Sequence, residues 1–215
     1  MKKYLLILLL AGALVLSACG TTKDNKEKSV VTTPTQESKP IVVGNYLIDT
    51  ENSKINWHAE KFIDKAHDGT VKIKSGEVSF NNDSSKGTVI IDMTTITESE
   101  NTTQLINHLK SADFFDVTKF PESKIELTKI VPTKDGINTY EVFGNLTIKD
   151  KTNPIAFNAV ITGGSDTATL NGKFSIDRTL WNVKFGSNKF FDNLADKAIR
   201  DDIDYNISIS AKLIK

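Results

Sequence analysis

From residue 45 onward, apolar side chains recur at every second position. Ile55, Trp57 and Ala59 alternate with polar neighbours, as do Val89, Ile91 and Met93, then Ile125 and Leu127 with Lys129 in the same phase. Val142, Gly144, Leu146 and Ile148 continue the pattern, followed by Ile155, Phe157, Ala159 and Ile161. Two further runs are Ala168, Leu170, Gly172, Phe174, Ile176 and Ile203, Tyr205, Ile207, Ile209, Ala211. Period two gives each segment one apolar face and predicts half-buried β-strands. Asn81-Asn82-Asp83, Lys134-Asp135-Gly136 and Thr162-Gly163-Gly164-Ser165-Asp166 punctuate them as turns. In the strand that starts at Val71 the phase slips after Ile73 and resumes at Val78 and Phe80 across Ser75-Gly76. A glycine at such a slip predicts a bulge or sharp bend, as barrels need at their corners.

Two stretches depart from period two. Residues 102–110 place Leu105, Ile106 and Leu109 on one helical face behind a candidate cap at Asn101 or Thr102, and residues 192–200 do likewise with Leu194, Ala195, Ala198 and Ile199. Each predicts a short helix. The reading is all-β: eight or nine antiparallel strands with two short helices, closed as a barrel or packed as a sandwich. Closure removes the sheet edges, and an interior of about eight strands is either filled by side chains or holds one small ligand.

The first 44 residues follow other rules. Lys2 and Lys3 precede an apolar run from Tyr4 to Leu16, which ends in Leu16-Ser17-Ala18-Cys19. The run is short for a membrane span and reads as an export signal cut before Cys19, the only cysteine. Residues 1–18 are thus expected to be a lipoprotein signal peptide. Cys19 would then be the lipidated N-terminus, and residues 19–44 a flexible tether. A tether of about 25 residues has a root-mean-square reach of roughly 25–30 Å. The expected location is the bacterial cell envelope, lipid-anchored, on the periplasmic or outer-membrane side. Residues 45–215 form one domain of ordinary size, held by its core alone because a single cysteine cannot form an internal disulfide.

Charge narrows the function classes. Lysine plus arginine and aspartate plus glutamate number 27 each, and loss of the signal segment leaves 25 basic against 27 acidic residues. Nothing here supplies the clustered positive field that nucleic-acid binding requires. Gly163-Gly164-Ser165-Asp166 lacks the spacing of a nucleophile elbow and falls at a turn, while Asp201, Asp202 and Asp204 lack calcium-loop spacing. His58, His67 and His108 have no ligand spacing, so no metal is expected.

The segments TYEVFGNLTIKDKTNPIAF, KFSIDRTLWNVKFGSNKFFDNLADKAIRDD and HLKSADFFDVTKFPESKIEL resemble the YceI-like family of lipid- or polyisoprenoid-binding proteins. So does the stretch from Trp57 through Lys61 to His67-Asp68-Gly69-Thr70 and Lys74-Ser75-Gly76. The resemblance implies an extended, eight-stranded antiparallel lipocalin-like barrel whose long apolar cavity takes an isoprenoid chain, such as a quinone tail or a polyprenyl lipid. It implies no enzyme activity and no covalent cofactor beyond the N-terminal lipid. The expected partners are the isoprenoid lipid and, through Cys19, a membrane; a homodimer is allowed. The protein would serve as carrier, store or stress-related chaperone, the alternative being an interaction module for an envelope or respiratory membrane protein.

Inward strand phases nominate Trp57, Ile91, Met93, Val142, Leu146, Phe157, Leu170, Phe174 and Tyr205 as ligand-binding, with Val89, Leu127 and Ile207 on the same faces. Any one of these is equally explained as plain core. His67 joins them because the resembling segment passes the barrel entrance there. Phe114, Phe115, Phe120, Trp181, Phe185, Phe190 and Phe191 are denser than a small core requires and are expected either as the lid and rim of a cavity or as anchors for the helices. Arg178, Lys184, Lys189 and Arg200 are candidates for a headgroup contact, with Asp177-Arg178 also explained as a structural turn.

Overall fold

The computed structural model describes residues 40–63, 66–81 and 84–214. The signal-like segment, Cys19, most of the tether and the pair Asn82-Asp83 lie outside the described residues. The strands are β1 (Gly44–Ile48), β2 (Lys54–Lys61), β3 (Ala66–Phe80), β4 (Lys86–Glu98), β5 (Glu122–Pro132), β6 (Thr139–Ile148), β7 (Lys151–Gly163), β8 (Thr167–Asp177) and β9 (Ile199–Leu213), with one helix, α1 (Thr103–Lys110), between β4 and β5.

Every strand pairing is antiparallel, and β2 through β9 form a closed ring. The ring has eight positions although nine strands are present, because β1 and β2 share one. Strand β3 pairs with β2 at Ala66 to Val71 and with β1 at Glu77 to Phe80, while β9 pairs with β2 up to Ser208 and with β1 from Ala211. At the break, side chains replace the ladder. Ser53 Oγ donates to Ser210 O (3.2 Å) and accepts from Ser210 N (3.0 Å), and Asp49 accepts from Asn52 N (3.2 Å) and pairs with Lys212 (2.7 Å).

The expected slip in β3 is a bulge: Ile73 and Ser75 face the adjacent Ile91 and Ile90, and the inward phase shifts to a buried Gly76. A side chain on Gly76 would stand 2.7 Å from Ile48 Cγ1, so only glycine lets the bent strand meet β1. A second bulge, between Leu127 and Lys129, was not anticipated. It turns Lys129 outward and buries Ile130, reversing the expected inward phase of Lys129.

Helix α1 forms where the apolar face predicts it. Its cap differs: the Thr102 side chain makes no capping bond, and Glu98 Oε2 accepts from Thr102 N instead (3.2 Å). The second predicted helix is absent. Asn193 and Ala195 adopt left-handed φ of 58° and 48°, which stops a right-handed helix from propagating. A 3₁₀ turn at Ala195–Lys197 remains, and β9 begins at Ile199, paired with Lys61.

One end of the barrel, the helical end, carries residues 99–121, the turn at 149–150 and residues 178–198. Trp181, in a 3₁₀ turn at Arg178–Trp181, is buried there and donates its indole N–H to Leu146 O (2.8 Å); Lys149 Nζ donates to Phe114 O (3.0 Å). At the opposite end Ile41 packs against the core, so the packed domain starts within the expected tether. Among the described residues the core runs from Ile41 to Leu213.

The break between β1 and β2 makes a pH-dependent contribution. The hydrogen bond from Lys212, then those from Asn52, hold the Asp49 carboxyl down at about 2. A carboxyl depressed in the folded state stabilises above its unfolded pKa, and that stability is lost as pH falls through the folded value. Asp49→Asn is expected to lower the urea midpoint at pH 7, and the difference from the parent should close between pH 3.8 and about 2.

Candidate functional site: an apolar cavity inside the barrel

The inward faces of the ring enclose a cavity of about 180 Å³. That is more than ten times the roughly 10–15 Å³ that one water needs by the same measure. Trp57, Ile91, Met93, Val142 and Leu146 line it, as do Phe157, Leu170, Phe174 and Tyr205. Val89, Leu127 and Ile207 share the lining. The helical end contributes Leu109, Phe114 and Phe115, and the opposite end contributes Ile41, Tyr46 and Phe80.

Sequence reasoning passed over Ile41, Tyr46 and Ser123. Ile41 stands in the apolar triplet Ile41-Val42-Val43 at the end of a polar segment, a signal that was present. Ser123 shares the phase of Ile125 and Leu127, but its polarity hid it.

An aromatic belt crosses four neighbouring strands. Phe157 on β7 stacks on Phe174 of β8 (4.7 Å between ring centres), and Phe174 stacks on Tyr205 of β9 (5.1 Å). Tyr205 faces Trp57 across the β9–β2 ladder, and Trp57 faces Gly69 across β2–β3. The belt depends on glycines beneath the rings. A Cβ on Gly172 would lie 3.1 Å from Phe157, and a Cβ on Gly69 would collide with the Trp57 indole and with Thr97 O. Stacked pairs of this kind are worth about 0.5–1.5 kcal/mol each beyond their burial.

Three polar groups of the lining make no hydrogen bond among the described residues. Trp57 Nε1 and Ser123 Oγ are buried and have no hydrogen-bond partner among the described residues. The Tyr205 hydroxyl makes no hydrogen bond among the described residues, and burial alone pushes its pKa far upward. A buried polar group left unpaired costs about 1–3 kcal/mol, so a ligand oxygen in reach of Trp57 Nε1 or Ser123 Oγ would be stabilising.

The other polar candidates are engaged elsewhere. His67 does not line the cavity; its Nδ1 lies 3.5 Å from the buried Glu98 carboxylate. Burial pushes the Glu98 carboxyl up, but bonds from the backbone of Thr102 and Glu100 and from His67 outweigh it and leave the pKa lowered. His58 is on the outer face, bonded to Asp68 (2.8 Å) and Glu60 (3.2 Å), which raise its pKa in that order. His108 pairs with Asp113 (3.1 Å). The histidines therefore meet acids rather than one another, and the described residues hold no group of three or more metal-ligating side chains.

Arg178 is the one cation of the lining, and its N–H groups are occupied. It donates to Val183 O (2.7 Å), Arg200 O (3.1 Å) and Ile199 O (3.2 Å) and reaches Asp201 at 3.5 Å, which makes it the staple of residues 178–198. Lys189 bridges Asp177 (2.6 Å) and Asp201 (3.2 Å), and Arg200 pairs with Glu60 (3.1 Å). Residues 163–167 form the hairpin turn, closed by Gly164 N donating to Thr167 O (2.7 Å). The aromatic group divides: Phe114 and Phe115 line the cavity, Trp181 is an anchor, and Phe185, Phe190 and Phe191 are exposed.

A family model described as the YceI-like domain matches residues 46–211. A UPF0312 protein of Pseudomonas putida strain F1 is 27% identical over 152 residues, covering 66% of this chain and 78% of that one. Its counterpart in Pseudomonas fluorescens strain SBW25 is 28% identical over 155 residues, covering 67% and 79%. Among solved structures, that of Burkholderia cenocepacia BcnA superposes with a TM-score of 0.61 at 20% identity, covering 76% of this chain and 98% of that one. A polyisoprenoid binding domain from Saccharophagus degradans gives a TM-score of 0.61 at 11% identity, covering 79% and 98%. These structures share the barrel architecture.

The belt makes Gly69 a sensitive position. Gly69→Ala is expected to cost about 1–3 kcal/mol by overpacking against Trp57 and the β4 backbone. Chemical denaturation reads the loss, and altered tryptophan emission in the folded state would report the displaced indole.

Proposed function

Since the chain belongs to the YceI-like family, we propose that it is a non-enzymatic envelope protein that carries an isoprenoid lipid, of quinone or polyprenyl type, with its apolar chain inside the barrel. The observation that supports this most directly is the cavity, whose wall is apolar on every strand and crossed by the belt from Phe157 to Trp57. An isoprenoid tail in water loses about 0.8 kcal/mol for each methylene it exposes. A lipid bilayer is therefore the real competitor for the tail, and transfer between two apolar hosts is close to neutral, which suits reversible carriage.

The polar groups of the lining favour a neutral head with acceptor oxygens. Tyr205 and Trp57 each offer a donor, whereas a diphosphate would need free cations and Arg178 has already committed its N–H groups to carbonyls and Asp201. A quinone ring meets that requirement. In this reading Cys19 is the lipidated residue, and the domain works on the periplasmic or outer-membrane side.

Occupancy is testable directly. The chain from residue 20 onward, purified from bacterial cells and extracted with organic solvent, is expected to yield close to one isoprenoid quinone or polyprenyl lipid per molecule by mass spectrometry. Leu146→Trp should lower that content at least tenfold with little change in unfolding midpoint, because the new ring occupies cavity space. Lipid-free protein that also fails to take up added quinone would overturn the reading.

The anchor is tested separately. Cys19→Ala in the full chain should move the protein out of the membrane fraction or leave it unprocessed, and should abolish palmitate labelling. Continued labelling would assign the lipid elsewhere.

A further inference from the structure

Four phenylalanines are exposed among the described residues: Phe62 (51%), Phe185 (39%), Phe190 (46%) and Phe191 (48%). All four are on the helical end of the barrel, together with exposed Ile63 and Leu180. Phe62 and Ile63 follow β2, and the others belong to the connection from β8 to β9. The two segments are fastened together, with Phe62 N donating to Ala198 O (3.0 Å) and the Arg200 guanidinium lying 5.3 Å from the centre of the Phe62 ring.

The loop that presents these rings is well anchored. Ser187 is fully buried, and its carbonyl accepts from both Phe190 N and Phe191 N (3.1 Å each). Ile199 N donates to Gly186 O (2.8 Å), and Trp181 and Val183 are buried on either side of the turn. Arg178 binds three carbonyls of the same segment. Phe190 and Phe191 are therefore held about half exposed on a backbone whose hydrogen bonds are made, while Phe185 keeps one side exposed and packs the other on His108 (4.7 Å) and Phe114.

Basic side chains are interleaved with the rings. Residues 178–200 contain five arginines and lysines against two aspartates. Lys184 Nζ lies 4.5 Å from the centre of the Phe190 ring, and Lys197 is in the neighbouring 3₁₀ turn. Lys189 pairs with Asp177 and Asp201 and Arg200 with Glu60, whereas Lys184 and Lys197 make no ion pair among the described residues. The opposite end also exposes apolar side chains, but they are aliphatic: Val42, Val43, Ile137 and Ile214.

We propose that the helical end is a docking face for the surface of a lipid bilayer containing anionic phospholipid, with Phe62, Phe185, Phe190 and Phe191 inserted at the headgroup–acyl boundary and Lys184 and Lys197 set against phosphates. Phenyl rings flanked by long cationic stems match that zone, where the ring leaves water and the ammonium stays at the headgroups. The face is also one side chain from the cavity: the Phe185 ring packs 5.3 Å from Phe114, which lines the interior. Docking here brings the barrel end to the bilayer, so that a tail exchanges without exposing each methylene to water. The surface is independent of which lipid the cavity holds.

The test uses the chain from residue 20 onward, so that no lipid anchor contributes, in flotation with vesicles of phosphatidylethanolamine and phosphatidylglycerol or of phosphatidylcholine alone. The parent should float with the phosphatidylglycerol vesicles and much less with phosphatidylcholine. The double variant Phe190→Ser, Phe191→Ser should lower the bound fraction at least tenfold, with unchanged unfolding midpoint and unchanged lipid content of the barrel. Lys184→Glu with Lys197→Glu should abolish the preference for anionic vesicles, and Ile137→Ser at the far end should change nothing. The proposal is overturned if the parent does not float, if the double serine variant floats like the parent, or if Ile137→Ser is equally damaging. Sedimentation showing that the serine variant converts a dimer to a monomer, without vesicle binding by the parent, would instead make this face an interface between two copies. Lipid content is read in the same samples, so failure of docking and failure of the lipid-carrier reading are distinguishable.

Discussion

Closure of the sheet is the constraint on which the rest of this protein depends. With β3 joined to β2 on one side and β4 on the other, each of the eight ring positions has a hydrogen-bonded neighbour on either side, although β7 and β8 pair only over 159–163 and 168–172, and closure leaves no strand at the margin of the sheet. Eight positions fix the circumference, and the circumference fixes how much interior the inward side chains must fill. Here the inward residues are of medium size on most strands and aromatic on a few, and they line the space without filling it. The glycines at 69 and 172 take part in that outcome. By withholding a side chain under Trp57 and Phe157 they let the rings lie against the wall.

A tube must also be stopped at its ends, and the polar chemistry of the molecule is concentrated at one of them. The helical end is irregular backbone, which carries N–H and carbonyl groups that no ladder satisfies. Arg178 supplies donors to three of those carbonyls, Trp181 donates to Leu146 O, and Glu98 accepts from the backbone before α1. Arg178, Trp181 and Glu98 are thereby tied into the backbone of this end as structural groups. Along the cavity the opposite holds: Trp57 Nε1 and Ser123 Oγ are unpaired. The contrast separates residues that hold the barrel closed from those with bonding capacity left for a ligand, and it removes Arg178 from the headgroup candidates.

The sequence by itself carried the strand pattern and therefore most of the cavity wall. Period-two alternation is local information, and once one face of a strand must leave water, the inward residues from Trp57 to Tyr205 follow. It also carried α1, because Leu105, Ile106 and Leu109 share a face, and the slip at Gly76, because a phase change at glycine has few other meanings. The segments resembling the YceI-like family told the same story over almost the whole domain.

Only the tertiary structure decided what depends on neighbours distant in the chain. The 192–200 segment has a helical pattern, but left-handed residues at Asn193 and Ala195 and the pairing of Ile199 with Lys61 make it a turn running into a strand. The Leu127–Lys129 bulge exists only against β6, so the exchange of Lys129 for Ile130 left no mark in the local period. His67 takes its partner, Glu98, from thirty-one positions on and stands outside the cavity lining. Alternation says which face of each strand leaves water. How the faces meet, which polar groups find partners, and whether the enclosed volume exceeds the side chains that enter it are properties of the closed ring.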